Sequence, residues 1–276
     1  MEDIKYKFYP SLLDSLDWAE KTGNEQQLLD QINRVRPKEK KDLERMGRGT
    51  ALNEVIDKLL KRNGITVDND NNYMEWANDF SYRFPKIHCD KIAKSLKGSK
   101  VQLWTNYYQD NVLFGGYIDY LKDTSVIDLK LSLSYQKSNF EDKAQALIYP
   151  LGLSKEGHDI SQFVYFITDG MKTAQYEVYP FNVTEAQEKL SVKIKKMIDF
   201  VEANRDKITD KKIFAEDMEY QQVDFDTPFP FGKNKDTIVG RFSTKQLIWW
   251  YDKFQQDKYP NGFKRGFIDF AKPKIH

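Results

Sequence analysis

The chain has 276 residues, enough to bury a sizeable core as one large domain or as a core domain with additions. Charged residues make up 31% of it, but 43 Lys and Arg offset 42 Asp and Glu to a net charge of +1, so any footprint for a phosphate backbone has to be local. One cysteine, Cys89, excludes an intramolecular disulfide framework and a four-cysteine cluster within the chain. The opening MEDIKYKFYP has no apolar signal core and no apolar run reaches bilayer length, so the expectation is a soluble cytoplasmic protein without a membrane partner.

Leu12, Leu13, Leu16 and Ala19 or Glu20 recur at helical spacing and predict a helix closed by Gly23, after which Asn24 is placed to cap a second, Glu25 to Arg34. Pro37 starts a charged helix ending at Gly64, with Leu43, Met46, Leu52, Val55, Ile56, Leu59 and Leu60 as its apolar stripe. Its interruption, Gly47-Arg48-Gly49, predicts a break or a close backbone approach, because a glycine inside a helix costs about 1 kcal/mol relative to Ala. Val67 to Tyr73 is a plain Asn/Asp turn; Asp68 and Asp70 lack the glycine and the glutamate of a calcium loop. Tyr73 to Ile87 is strand-like, Asp90 to Leu96 a short helix and Lys100 to Gln109 a strand. His88 and Cys89, adjacent and with no second pair, are structural rather than a zinc site.

The stretch from Val112 to Leu153 organises the rest. Val112 to Leu121 is rich in β-branched and aromatic residues, Lys122-Asp123-Thr124-Ser125 supplies the turn, and Val126 to Leu133 returns as a strand. Alternation puts Val126, Asp128, Lys130 and Ser132 on one face and Ile127, Leu129, Leu131 and Leu133 on the other. Asp119 lies across the turn, so two acids and a lysine converge. Mg²⁺ and similar hard cations take one or two carboxylates plus water and phosphate oxygens, and a nearby Lys can stabilise an anion. A surface ion pair on a hairpin would look the same from these residues alone.

Ser138 to Leu151 carries a helical stripe that Pro150 should bend or end. Gln162 to Thr168 and Gln175 to Tyr179 are strands around an Asp169-Gly170 turn. Thr184 and Gln187 suggest a capping box for a helix from Glu185 to Lys207, whose Lys189, Lys193, Lys195 and Lys196 either track phosphates or form its wet face. In the tail, Ser243 is placed to cap a helix, with Trp249 and Trp250 as packing residues or base-stacking surfaces beside Lys264 and Arg265.

Gly116-Tyr117-Ile118-Asp119, Asp128-Leu129-Lys130-Leu131-Ser132 and Gln145-Ala146-Leu147-Ile148-Tyr149 together resemble the PD-(D/E)xK nuclease superfamily, and within it the RecB-like exonuclease branch, whose motifs run G-x-x-D, (D/E)-x-K and Q-x-x-x-Y. The Phe8, Pro10, Ser11 and Leu13 pattern resembles that branch's opening helix, although a packed N-terminal helix would read alike. The resemblance implies Mg²⁺ or Mn²⁺ on Asp119, Asp128 and the Leu129 backbone carbonyl, with Lys130 positioning or activating the attacking water. It implies that Gln145 orients the lysine or the DNA backbone, with Tyr149 and Ser132 also at the substrate. Gly49 to Glu54 resembles the first motif, G-x-x-x-H/E, but its ligand slot holds Asn53, which adds no negative charge; Glu54 substitutes only if the helix is rotated. The iron–sulfur cluster of some relatives needs four cysteines and is not expected.

The fold expected is α+β, a restriction-endonuclease-like αβββαβ core with a central mixed sheet flanked by helices. Residues 1–207 form the nuclease-like domain with its N-terminal helices, and residues 208–276 a C-terminal extension packed on it. The function implied is a metal-dependent DNA nuclease, exonuclease rather than restriction endonuclease, with DNA as partner and a homo-oligomer or recombination partner protein left open. The rivals are an inactive nucleic-acid-binding module of the same fold and a protein–protein scaffold whose carboxylates and Lys130 form an internal ion-pair network.

Overall fold

The computed structural model describes residues 4–35, 39–135, 140, 143–215, 222–231, 234–257 and 261–275. They fall into two units, one built on residues 8–210 and a smaller one on the chain from Lys211 onward together with its first residues.

After a short strand β1 (Tyr6–Phe8), helix α1 (Pro10–Thr22) starts with a proline in its first turn, where a missing amide costs nothing. It stops at Gly23, whose φ of 69° turns its amide back onto the Ala19 carbonyl. Helix α2 (Glu25–Ile32) is capped by Asn24, which accepts from the Gln27 amide, and ends two residues before the expected Arg34, which adopts a left-handed φ of 55°. The expected start of the next helix at Pro37 lies outside the described residues. Helix α3 (Lys40–Lys61) runs unbroken through Gly47-Arg48-Gly49. Gly47 is the close approach: a Cβ there would lie 2.5 Å from the Tyr82 hydroxyl, whereas nothing lies within 4 Å of one at Gly49.

Strands β2 (Thr66–Val67), β3 (Asn72–Ala77) and β4 (Phe80–Pro85) form a small antiparallel sheet. The Asp68 carboxylate organises its first turn by accepting from the Asp70 and Asn72 amides, so the middle of the expected stretch is a turn, while Val67 belongs to β2 and Asn72 and Tyr73 to β3. Helix α4 (Lys86–Ser95) begins four residues before the expected Asp90. His88 and Cys89 are both buried on it, with His88 Nε2 2.8 Å from the Thr168 hydroxyl.

The central sheet follows. Strands β5 (Lys100–Gln109), β6 (Val112–Lys122) and β7 (Ser125–Leu131) are antiparallel neighbours. Helix α5 (Ala144–Lys155) then carries the chain over to β8 (Gln162–Thr168), which lies parallel to β7, and β9 (Ala174–Pro180) closes the order antiparallel to β8. A parallel neighbour requires such a crossover, and a helix supplies it. This mixed sheet flanked by helices is the expected restriction-endonuclease-like arrangement, with β2, β3, β4 and α4 inserted between its first helix and its first strand. Ala51, Leu52, Val55 and Ile56 of α3 pack on Tyr120, Ile127, Leu129 and Phe166 of the sheet.

Three local expectations are corrected. Strand β7 stops at Leu131, and Leu133 is 72% exposed instead of lying on an apolar face. Helix α5 begins at Ala144, after Lys143 in extended backbone, rather than at the expected Ser138, which lies outside the described residues; Pro150 does not end it, and it runs on to bury Leu151 and Leu153. Helix α6 (Val183–Ala203) is capped by Asn182, which accepts from the Glu185 amide at 3.0 Å; Thr184 already lies inside the helix. Of the two readings of its lysines, the wet face is favoured over a phosphate track, since Lys193 pairs with Asp17, Lys196 with Glu20 and Lys189 with Glu185.

In the smaller unit, helix α7 (Thr244–Gln255) opens with a capping box between Ser243 and Gln246, and α8 (Gly262–Ile275) follows. Phe229, Phe242, Trp250, Phe254, Phe263 and Phe267 make its core. Trp250 is thus a packing residue, while Trp249 stays 54% exposed with the Lys253 ammonium 4.7 Å from its ring centroid.

Candidate active site

Strands β6 and β7 are paired over only Lys122↔Ser125, Leu121↔Val126 and Tyr120↔Ile127. The next pair would be Asp119 and Asp128, and there the ladder ends. The Asp119 carboxylate takes over from it: Oδ2 accepts the Leu129 amide at 2.9 Å, a buried donor that the parted strand would otherwise leave unanswered. The same oxygen lies 3.4 Å from Asn53 Nδ2 on α3. An amide turned over would present its carbonyl oxygen to the same point.

Lys130, two residues beyond Asp128 on β7, places its ammonium 2.8 Å from Asp128 Oδ2 and donates to Gln145 Oε1 on α5 at 3.0 Å. A third of its side chain, 33%, remains exposed. Asp128 is buried, and among the described residues its Oδ2 has no aligned hydrogen bond beside that charge contact. The sequence-predicted Asp119, Asp128, Lys130, Gln145 and Asn53 are therefore linked side chain to side chain or through the short Asp128-to-Lys130 segment.

Other expected members sit differently. The Leu129 side chain lies in the core under α3, and its backbone runs between the two acids. Tyr149 is 6% exposed and held against β6; a Cβ on Gly116 would come within 2.8 Å of its hydroxyl. Ser132 lies just past the end of β7, its amide donating to the Thr168 carbonyl at 2.8 Å. Glu54 is exposed and faces Lys58 at 3.7 Å, so the helix rotation that would bring it to the site is not the one α3 adopts. Asn53 occupies that position.

Burial pushes the Asp119 carboxyl up to about 7, and the Asp128 carboxylate adds to the rise. Burial alone would lower the pKa of the Lys130 ammonium, but Asp128 and then Asp119 outweigh it, and the net shift is upward. Lys130 is thus a standing cation at neutral pH.

Sequence reading missed Asp57 and Tyr165. Asp57 is buried one helical turn beyond Asn53 and accepts from the Tyr120 hydroxyl at 2.9 Å; the spacing i, i+4 from Asn53 was the available signal. Tyr165 is the β8 register partner of Asp128, and its buried hydroxyl has no hydrogen-bond partner among the described residues. Nothing in a single sequence marks that pairing.

The donor set fits a hard cation. Among the described residues no group of three His, Cys, Asp or Glu side chains assembles, so a cation here would rest on fewer acids completed by other oxygens. Two carboxylates, one with a buried oxygen lacking an aligned hydrogen bond among the described residues, suit Mg²⁺ or Mn²⁺, which keep several places for water and phosphate; the Asn53 amide faces them with its nitrogen and adds an oxygen only when turned over. None of the described helices is long and apolar enough to cross a membrane.

The chain matches no family model and no curated protein. Among solved structures it is similar to a protein from Eubacterium rectale described as a candidate exonuclease, at 12% identity and a TM-score of 0.32 over 72% of this chain and 68% of that one. So remote a likeness leaves the site to be judged by its own geometry.

Proposed function

We propose that this chain hydrolyses DNA phosphodiester bonds with a divalent cation, acting as an exonuclease. The observation that carries the reading is the Lys130 ammonium, held between Asp128 Oδ2 and Gln145 Oε1 beside the point where β6 and β7 part at Asp119. The exonuclease preference rests on the motif resemblance alone.

Asp119 and Asp128, with the Asn53 side-chain oxygen and the Leu129 carbonyl, would hold the cation. A bound Mg²⁺ or Mn²⁺ supplies Lewis acidity toward a phosphate and lowers the pKa of water. The chain's own part begins with Lys130. Lys130 donates to the attacking water or a phosphate oxygen and offsets charge that grows on the phosphate. Gln145 uses its side-chain oxygen on Lys130, so it orients the lysine. Tyr149 acts at one remove, seating α5 on β6 at Gly116. Ser132, at the open end of β7, is the remaining candidate for a phosphate contact. DNA is the substrate in this reading, and a recombination partner or a second copy of the chain is compatible with it.

The test is degradation of end-labelled linear and closed circular DNA with Mg²⁺ or Mn²⁺, comparing the wild type with Lys130→Ala and Asp119→Asn. Metal-dependent loss of linear DNA only, abolished in both folded variants, supports the proposal. Cutting of circles changes it to an endonuclease. DNA binding without any degradation favours the binding-module reading, for which the uncharged Asn53 in a ligand slot is the motivating feature.

A further inference from the structure

Helix α5 begins without a cap of its own. Lys143 precedes it in extended backbone and makes no side-chain cap hydrogen bond. The first helical amide, that of Ala144, is answered from α1, where Asp14 Oδ1 accepts at 2.8 Å across 130 residues of sequence. The acids that follow Asp14 on α1, Asp17 and Glu20, meet the flexible ammoniums of Lys193 and Lys196. Asp14 alone of the three meets a backbone group, and that group belongs to the residue before Gln145. A carboxylate at this place satisfies one of the four orphan amides of a helix start and faces the positive end of its dipole. Burial raises the Asp14 pKa, which the Ala144 amide and the Lys143 charge partly offset, so this carboxyl is partly withdrawn from water for the sake of that contact.

We propose that Asp14 is a positioning residue for the reaction: it fixes the first turn of α5 so that Gln145 holds the Lys130 ammonium beside Asp128. The proposal rests on the nuclease reading given above. A long lever is not needed. Gln145 follows the capped amide directly, and a shift of about 1 Å at a positioning group can cost on the order of a hundredfold in rate.

The experiment uses the full chain and measures kcat and KM for Mn²⁺-dependent degradation of linear DNA in Asp14→Ala and Asp14→Asn, each made in the wild type and in a Gln145→Ala background. The same proteins, free of metal and DNA, are followed by amide hydrogen exchange at Ala144 to Ala146. Asp14→Ala is expected to lower kcat about tenfold with KM changed less than about twofold, about 1.4 kcal/mol in the barrier. Asp14→Asn, whose carbonyl oxygen still accepts, is expected to recover to within about threefold of the wild type. In Gln145→Ala the Asp14 change should add less than about twofold, because the group it positions is gone. Exchange at Ala144 to Ala146 should accelerate in Asp14→Ala and not in Asp14→Asn.

Equal losses in both backgrounds, or unchanged exchange in Asp14→Ala, would overturn the proposal. Should Asp14→Ala fail to fold, Asp14→Glu, which keeps the charge but overreaches the amide by one methylene, carries the same comparison. If the wild type degrades no DNA, or Asp128→Asn still does, the nuclease reading is what fails, and the exchange measurement still decides whether Asp14 sets the start of α5.

Discussion

Gly116 lies three residues before Asp119 on β6, and the structure gives the glycine a steric reason. A Cβ at this position would lie 2.8 Å from the Tyr149 hydroxyl, 3.0 Å from Cε1 and 3.3 Å from Cζ. The ring has little room to yield, because Tyr149 is buried on the inner side of α5. Overpacking of this kind costs about 1–3 kcal/mol, so Gly116→Ala should lose about 2 kcal/mol and melt about 4–8 °C lower. Removing the hydroxyl takes away the closest of the three contacts, so in a Tyr149→Phe background the same change should cost less than about 1 kcal/mol. Urea unfolding of the four proteins of this cycle reads the coupling directly. Nuclease activity should follow stability, because relief of the clash by movement of Tyr149 shifts the helix that carries Gln145. A neutral Gly116→Ala, or an equal cost with and without the hydroxyl, would refute the packing argument.

The two glycines of α3 should separate. Gly47→Ala, whose Cβ would meet the Tyr82 hydroxyl at 2.5 Å and the Ala77 carbonyl at 3.1 Å, is expected to destabilise by about 1–3 kcal/mol. Gly49→Ala, with nothing within 4 Å, should stabilise by about 0.5–1 kcal/mol through helix propensity, and thermal melts of both distinguish them. Asp119 has a folded pKa pushed up to about 7, above its unfolded value, by burial and then by Asp128. Its protonated form is therefore favoured by folding, and that contribution is lost as pH rises toward 7. Metal-free Asp119→Asn, which mimics the protonated acid, should be more stable than the wild type at pH 8 and similar to it near pH 4. Metal binding requires the ionised carboxyl, so Mn²⁺ affinity of the wild type, measured by calorimetry, should fall from pH 8 to pH 6. Asn53→Asp adds a charged oxygen beside Asp119 and should tighten Mn²⁺ binding, which the same titration checks.

The alternation of Val126 to Leu131 was enough to put Asp128 and Lys130 on one face, because strand parity fixes their directions, whereas Gln145 came only from the motif resemblance. The mixed sheet with flanking helices was legible for the same reason. Less legible were features that depend on contacts between distant segments. The stripe of α3 was compatible with either Asn53 or Glu54 at the site, and only the packing of Ala51, Leu52, Val55 and Ile56 on the sheet selects Asn53. Gly47 and Gly49 look equivalent in sequence, but only the first lies under a tyrosine from β4. Thr184 carried a capping-box pattern, yet Asn182 took the role because the chain enters α6 two residues earlier. The α6 lysines could be read as a phosphate track or as a wet face, and only the placing of Asp17 and Glu20 of α1 against two of them favours the second. Asp14 itself gives no local sign of its partner, since the amide that it caps lies on another helix.

The central claim is that the two acids hold a divalent cation while Lys130 works on the substrate. The most direct measurement is Mn²⁺ titration of the wild type, Asp119→Asn and Lys130→Ala in the presence of linear DNA, with turnover followed in the same samples. The account predicts that Asp119→Asn loses both metal and turnover, whereas Lys130→Ala keeps the metal to within about tenfold of the wild-type affinity and loses turnover. Equal Mn²⁺ binding by all three proteins, or undiminished degradation by Lys130→Ala, would contradict it.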